Sequence, residues 1–217
     1  MTDLPTLSPA QEALLQAAER LLAEKGLGAV STREIAREAG QKNHSAVNYH
    51  FGSMDGLIEA VLDYRMVPLN ERRRAMLEEL TATGRENDLR ALVEIVVEPL
   101  ANELLRPAEE SGYLRLLAQL MSVGEWQSLF TVHPHRSSVL LESGAYLQSV
   151  MQQTLPDDIV FERLRLLGLH AINAVTEWDG MGRRGELTLT RENLSWRVTN
   201  LIDYLAAALV AEHHKSN

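Results

Sequence analysis

Two short helical patterns separated by a tight turn lie within residues 31–51, and they restrict the possible folds more than any other feature of the chain. Ser31 precedes Glu34 by three residues, which is the spacing of a capping box at a helix start. Apolar residues at i and i+4 then share one inward face. Gly40 follows where a helix-ending residue with positive φ is expected. The pattern therefore predicts a short helix that ends near Gly40.

The second pattern predicts a turn over 41–44 and a helix over 45–51. Val47 and Phe51 are four residues apart, so both can pack on the first helix. The opposite face carries polar side chains: Ser45, Asn48 and Tyr49, with His50 to one side. Such groups can reach phosphates or base edges, and an Asn carboxamide suits a bidentate contact with adenine. Together the two patterns predict a helix-turn-helix, whose second helix lies in the major groove of DNA.

These residues resemble the DNA-binding domain of the tetracycline-repressor (TetR) family, in which an Ile-Ala-x-x-Ala-Gly helix precedes a turn and a second helix ending in Tyr/His/Phe. The matching residues are Ile35, Ala36, Ala39, Gly40, Tyr49, His50, Phe51, Ser53 and Leu57. The sequence departs from the family pattern at two points. The Lys that usually follows the Ser is Met54, a loss for which Lys42 can compensate, and the turn is one residue longer than its commonest form.

The resemblance implies a double-stranded DNA operator as partner. We expect Asn48 to read a base and its polar neighbours to fix the register on the DNA backbone. The predicted DNA-contacting residues are Thr32, Arg33, Lys42, Asn43, His44, Ser45, Asn48, Tyr49 and His50. The charge pattern agrees with a site-specific reader, because the chain carries −9 overall whereas residues 31–54 hold three basic and two acidic side chains. A general nucleic-acid coat is usually basic throughout.

Composition narrows the remaining possibilities. The chain has 217 residues, no Cys and 45% hydrophobic residues, which describes a globular protein without disulfides, thiolate chemistry or a Cys-built metal site. Residues 1–9 hold no apolar run, which argues against a signal peptide. The apolar stretch 205–211 is too short to span a bilayer. We therefore expect a cytoplasmic protein with no membrane partner.

Helical periodicity continues along the whole chain, so the predicted fold class is all-α. Ser8, Pro9 and Gln11 form the start signal of a first helix that ends at Gly26. Ser53 begins a fourth helix, in which an internal proline, Pro68, predicts a kink. Further helices are predicted over 89–105, 110–123, 125–132, 137–155, 157–178 and 190–212. We expect a helix-turn-helix domain over 1–52 and a helical effector-binding and dimerisation domain over 53–217.

The last two predicted helices carry apolar residues on more faces than packing within a single chain requires. The final helix has a second face that carries Tyr204 and three small side chains, Ala207, Ala208 and Ala211. Its predecessor is apolar almost all round over 164–175, which predicts burial on more than one side. This pattern favours an isologous four-helix interface between two copies, as the TetR resemblance also implies. An internal core without a partner is the alternative.

Members of the TetR family usually release DNA when a small molecule enters the helical body. The candidate pocket residues are Leu104, Tyr113, Leu117, Met121, Trp126, Phe130, His170, Asn173 and Trp178. Their composition favours an apolar or aromatic effector, although each residue can equally belong to the core. His170 and Asn173 lie three apart in an apolar helix and need polar partners, either a ligand or a protein carbonyl.

Other motifs do not form sites. The histidines in 133–135 and 213–214 are too local to assemble a metal site, and the glycines in 180–185 follow a helix without a strand-bounded nucleotide fold. No catalytic constellation is present, so we expect no enzyme activity, no metal and no cofactor. The sequence predicts a ligand-responsive homodimeric repressor on a palindromic operator. The alternatives are an enzyme or carrier with a helical body, and a helical protein-interaction module without operator binding.

Overall fold

A computed structural model describes residues 7–107, 112–122 and 134–213, with side chains from residue 138 onward in the last range. All regular secondary structure in these ranges is helical, which confirms the predicted all-α class. The helices are α1 Pro9–Lys25, α2 Thr32–Glu38, α3 Ala46–Phe51, α4 Met54–Ala82, α5 Leu89–Asn102, a 3₁₀ turn Glu103–Leu105, α6 Tyr113–Ser122, α7 Pro134–Met151, α8 Asp157–Arg183 and α9 Arg191–Val210. The helix predicted over 125–132 lies outside the described residues.

Local capping explains where the first helices begin. The Gln11 N–H donates to Ser8 Oγ at 3.3 Å and the Ser8 N–H donates to Gln11 Oε1 at 2.9 Å, so the predicted capping box is confirmed. At α2, the Glu34 N–H donates to Ser31 Oγ at 3.2 Å. The Glu34 carboxylate instead accepts from Lys25 Nζ at 2.6 Å. The predicted capping box at α2 is therefore wrong in its second hydrogen bond, because the Glu34 carboxylate pairs with Lys25 of α1.

The end of α8 differs from the sequence prediction. The sequence predicts a helix that ends at residue 178, but α8 continues through Gly180 and Gly182 to Arg183. A Cβ atom on Gly182 would lie 2.6 Å from Leu189 Cδ1, so this position in the helix lets the Leu189 side chain approach the backbone. Gly185 then takes φ +73°, a conformation that favours glycine, and ends the turn after the helix.

The described residues form two compact units that divide at Pro68 within α4. Unit 1 comprises the described residues up to Pro68 and those of 106–136. In it, α1 packs on both α2 and α6, and α2 packs on α3. Its fully buried side chains come from all four of the first helices and include Leu14, Leu22, Ile35, Val47 and Leu57. Burial of these side chains fixes the helices that hold the predicted DNA surface.

Unit 2 comprises residues 69–105 and the described residues from 137 onward. Its central contact joins α5 to α9, and α8 packs against both helices. The Arg90 guanidinium Nε, near the start of α5, donates to Asp203 Oδ1 in the C-terminal half of α9 at 2.8 Å. Because the two helices pack along their length, this pairing makes them antiparallel. Among the described helices, none combines the length and apolarity that crossing a membrane requires.

Candidate nucleic-acid interface

Helices α2 and α3 form a rigid two-helix scaffold. Ile35 of α2 and Val47 of α3 are both completely buried, and Phe51 is half-buried. Gly40 adopts φ +66° after α2, and the next N–H, that of Gln41, donates to the Ala36 carbonyl oxygen at 2.9 Å. The positive φ predicted at Gly40 is thus confirmed. This helix end sets the direction in which the turn leaves α2.

The turn places Asn43 and Ser45 before α3. The Ser45 N–H donates to Asn43 Oδ1 at 2.9 Å, and the Ala46 N–H donates to the Asn43 carbonyl oxygen at 3.1 Å. Helix α3 therefore begins at Ala46, one residue later than predicted. The carboxamide oxygen of Asn43 is thus used within the turn. The Ser45 hydroxyl, in contrast, caps no backbone group, and Ser45 is exposed.

The outward face of α3 is polar and open to solvent. Asn48 is exposed, and the Tyr49 side chain is 80% exposed. The rings of Tyr49 and His50 meet edge to face, with their centroids 4.8 Å apart. Such a contact restricts the rotamers of both rings before any partner binds. The helix therefore presents an amide, a phenol and an imidazole from consecutive positions.

The acidic side chains of α2 are engaged by α1. The Glu38 carboxylate accepts from Arg20 Nη2 at 2.6 Å, and the Glu34 carboxylate accepts from Lys25 Nζ at 2.6 Å. The hydrogen bond from Lys25 is the largest cause that lowers the pKa of Glu34. Exposed ion pairs add little stability. Their consequence here is electrostatic, because both negative charges of α2 have a positive charge beside them.

The basic side chains of the motif remain available. Arg33, Arg37 and Lys42 are exposed and make no ion pair within the described part of the chain. A shallow depression of about 670 Å³ has these walls: Ser31, Arg33, Glu34, Arg37, His44 and Ser45. Arg37 lines this depression but is not among the predicted DNA-contacting residues. Its spacing of four residues from Arg33 was the available signal, since such residues share a helix face.

The structure separates the predicted pocket residues by burial. Leu104, Tyr113 and Leu117 are buried, Met121 and Trp178 are half-buried, and Trp126 and Phe130 lie outside the described residues. His170 and Asn173 lie on the exposed side of α8. The Asn173 Nδ2 donates to the Leu169 carbonyl oxygen of its own helix at 2.9 Å. Asn173 thus has the protein carbonyl partner that one of the two alternatives required.

Metal-binding chemistry is not indicated in the described ranges, where no three His, Asp or Glu side chains come together as a metal site would need. The histidine motifs at 133–135 and 213–214 lie wholly or partly outside the described side chains.

This arrangement defines a helix-turn-helix protein: a two-helix scaffold, a short exposed α3 and basic side chains around it. Over residues 14–61 the chain matches the model of the tetR family of bacterial regulatory proteins. That range extends from the core of α1 into the start of α4 and includes every predicted DNA-contacting residue.

Two curated relatives and one solved structure illustrate the similarity. An HTH-type transcriptional repressor of Mycobacterium tuberculosis is 50% identical over 52 residues, which cover 24% of this chain and 27% of that protein. The HTH-type transcriptional regulator BetI of Pseudomonas fluorescens is 31% identical over 125 residues, which cover 58% of this chain and 59% of BetI. The chain thus spans less than two thirds of the length of either curated relative.

The solved structure of the fatty acid degradation regulator FadR from Bacillus halodurans has the same fold. It aligns with a TM-score of 0.61 and 15% sequence identity, over 97% of this chain and 100% of that chain. The similarity in fold therefore extends beyond the helix-turn-helix into the helical C-terminal part.

Proposed function

We propose that this chain is a DNA-binding transcriptional regulator that acts as a homodimer on an inverted-repeat operator, most simply as a repressor. The observation that carries the proposal is the exposed polar face of α3 beside basic side chains that form no ion pair with any described residue. The acidic side chains of α2, by contrast, are paired with α1. A surface of this kind attracts phosphates and offers groups that read base edges. The cytoplasmic location predicted from the sequence is part of this proposal.

The DNA-reading segment is residues 1–52, and its contacts divide into two roles. Asn48 reads a base edge in the major groove, because its carboxamide is exposed at the centre of α3. Lys42 and Arg37 contact phosphates, together with the other polar side chains of the predicted set. In a dimer, the two α3 helices enter successive major-groove faces about 34–36 Å apart. Met54, at the start of α4, supplies no phosphate contact.

Selection of bound sequences from a random DNA pool tests the proposal directly. We expect the full-length protein to enrich an inverted repeat, and Asn48→Ala to lose preference at the base pairs that Asn48 reads, by about 1–3 kcal/mol. Lys42→Ala should weaken all sequences alike and reduce the slope of log affinity against log salt by about 0.9. Asn87→Ala, an exposed Asn in the loop before α5, is the matched control and should leave the motif unchanged.

Failure has a distinct signature in the same experiment. A folded dimer that enriches no sequence contradicts operator reading and favours the protein-interaction module. Equal losses on all sequences for Asn48→Ala and Lys42→Ala contradict the proposed division between base reading and phosphate binding.

The homodimer interface proposed here lies on α8 and α9. Phe161 is 60% exposed on α8, whereas Trp196 and Tyr204 are 60% and 56% exposed on α9. Exposed aromatic side chains on neighbouring helices are typical of an association surface. Ala207 and Ala208 lie on the same exposed face as Tyr204 and let another helix approach closely.

Effector control completes the proposal. An apolar or aromatic molecule binding in the helical body would shift the dimer towards a spacing of the two α3 helices that no longer fits the operator. A coupling of this kind is typically worth about 1–3 kcal/mol. The aliphatic and aromatic side chains predicted for the pocket support an apolar ligand. Release of the selected operator by such molecules, followed by fluorescence anisotropy, tests this step.

A further inference from the structure

A groove on unit 2 lies between α5 and α9, away from the proposed DNA surface. Its volume is about 310 Å³, which is near the lower end of the range for small-molecule sites. The lining combines apolar and polar side chains: Arg90, Glu94, Glu98, Ala101, Asn102, Leu105, Arg191, Leu194, Ser195, Val198, Thr199 and Ile202. Leu194, Ala101 and Ile202 are buried and form the apolar floor.

One end of the groove is closed by ion pairs. Arg90 Nε donates to Asp203 Oδ1 at 2.8 Å, and Arg90 Nη1 donates to Glu94 Oε2 at 3.3 Å. The hydrogen bond that Arg90 donates to Asp203 is the largest cause that raises the pKa of Arg90. Each of these three side chains has an ion-pair partner within the protein, which distinguishes this end from the other.

The other end holds one carboxylate and one guanidinium with no ion-pair partner in the described ranges. Glu98 is half-buried on α5, and Arg191 is exposed at the start of α9. A half-buried carboxylate loses part of its hydration, and a cation placed beside it offsets that cost. Asn102, one turn beyond Glu98 on α5, adds an amide that can donate or accept.

Antiparallel packing sets the spacing of the two free charges. Counting from the Arg90–Asp203 pair at ~1.5 Å per residue, Glu98 lies ~12 Å and Arg191 ~18 Å along the groove. The two charges are therefore offset by about 6 Å along the axis. Between these two levels the apolar floor is formed by Leu194 of α9 and Ala101 of α5, both of which line the cavity.

We propose that this groove binds a small linear zwitterion, with its ammonium group at Glu98, its carboxylate at Arg191 and its carbon chain on the apolar floor. The site does not depend on DNA binding or on the proposed function. The groove also faces away from Tyr204 of the proposed dimer interface. Ser195 lines the groove and Tyr204 lies nine residues further along α9, which places them on opposite sides of the helix at ~100° per residue.

Titration of full-length protein with 6-aminohexanoate tests the site. Isothermal calorimetry gives the affinity, and backbone amide NMR shifts locate the ligand. We expect shifts confined to α5 and α9, and at least tenfold weaker binding of hexanoate and of hexylammonium, because each lacks one of the two charges. Equal binding of hexanoate and 6-aminohexanoate, or shifts outside these helices, would overturn the proposal.

Single variants separate the two charged contacts. Glu98→Gln should weaken 6-aminohexanoate binding at least tenfold without changing the weak binding of hexanoate. Arg191→Gln should weaken 6-aminohexanoate to a similar extent without changing the weak binding of hexylammonium. Glu192→Gln is the matched control, because Glu192 is exposed beside Arg191 but does not line the groove. Wild-type affinity in both groove variants, or an equal loss in the control, would overturn the assignment.

Discussion

Arg65 on α4 and Glu19 on α1 form a buried bidentate ion pair, with Nε donating to Oε2 at 2.6 Å and Nη2 donating to Oε1 at 3.1 Å. Each side chain is only 4% exposed. The N–H of Gly112, immediately before α6, donates to the same Glu19 Oε1 at 3.1 Å. One carboxylate of the first helix thus joins three segments of unit 1. These contacts hold α1, α4 and the segment before α6 together within unit 1.

Arg65→Met should strongly destabilise the protein, because it leaves the Glu19 carboxylate buried without its cation. Loss of one partner from a buried pair typically costs about 3–5 kcal/mol. Urea unfolding followed by circular dichroism measures the change. The double variant Glu19→Met/Arg65→Met should recover most of the loss, since an apolar pair of similar volume often replaces a buried ion pair. An Arg65→Met protein that unfolds at the wild-type urea concentration would contradict the burial of this pair.

Gly112→Ala should separate α6 from α1. A Cβ atom at this position would lie 2.9 Å from the Glu19 carbonyl oxygen, and a backbone atom cannot move aside as a flexible side chain can. We expect a loss of about 1–3 kcal/mol in unfolding free energy, the usual cost of forced overpacking. Gly144→Ala on α7 is the matched control, since a Cβ there meets nothing within 4 Å. That control should gain about 0.5–1 kcal/mol, and the same response in both variants would refute the close approach.

The start of α5 should lose stability in acid through Asp88. Its Oδ2 accepts from Arg85 Nη2 at 2.7 Å and its Oδ1 accepts from the Ala91 N–H at 3.0 Å. The hydrogen bond from Arg85, followed by that from Ala91, lowers the pKa of Asp88 below its ordinary 3.8. A lowered folded-state pKa means that the stabilisation is complete above 3.8 and is lost as the pH falls through the folded value.

Asp88→Asn measures the stabilisation that the charged Asp88 carboxylate contributes, because Asn remains a helix cap but does not titrate in acid. The stability difference between wild type and variant should be constant near neutral pH and should shrink once the pH falls below 3.8. Thermal unfolding over a pH series gives both curves. A difference that stays constant throughout the acid range would show that the Asp88 charge contributes nothing to folding.

Tyr204→Glu should dissociate the proposed homodimer. The Tyr204 side chain is 56% exposed on α9, and a carboxylate there would be buried against its own copy in an isologous interface. We expect the dimer dissociation constant to rise at least tenfold, about 1.4 kcal/mol, in sedimentation velocity. Leu141→Glu on α7, where the side chain is 60% exposed, is the control. If Leu141→Glu dissociates the dimer and Tyr204→Glu does not, the interface lies on α7 and the proposed interface is wrong.

The predicted helix-turn-helix rests on local rules that sequence reasoning can apply. Ser8 and Ser53 cap their helices as expected, and Gly26 and Gly40 end theirs with positive φ. These features depend on residues within one helical turn of each other, so spacing alone predicts them. The start of α3 was misplaced by one residue because Asn43 bonds to the Ser45 N–H within the turn. That side chain competes with the helix for the backbone group.

The candidate DNA surface was only partly predictable. The exposed face of α3 follows from helical periodicity, since Val47 must face inward. The pairing of Glu34 with Lys25 and of Glu38 with Arg20 did not follow, because the partners belong to separate helices whose packing decides which charges meet. The count of charges within residues 31–54 therefore gives a surface that is less basic than the folded one, because it leaves out Arg20 and Lys25 of α1.

By itself, the sequence determined the helical class, the helix-turn-helix and the polar face that it presents. Each is encoded by side chains at short, regular spacing, where backbone geometry leaves few alternatives. Only tertiary structure decided that Glu19 meets Arg65, that Arg90 meets Asp203 and that Gly112 lies against α1. The ion-pair partners are 46 and 113 residues apart. Contacts at such separation arise when apolar faces pack and bring distant charges together, and no local spacing rule encodes that outcome.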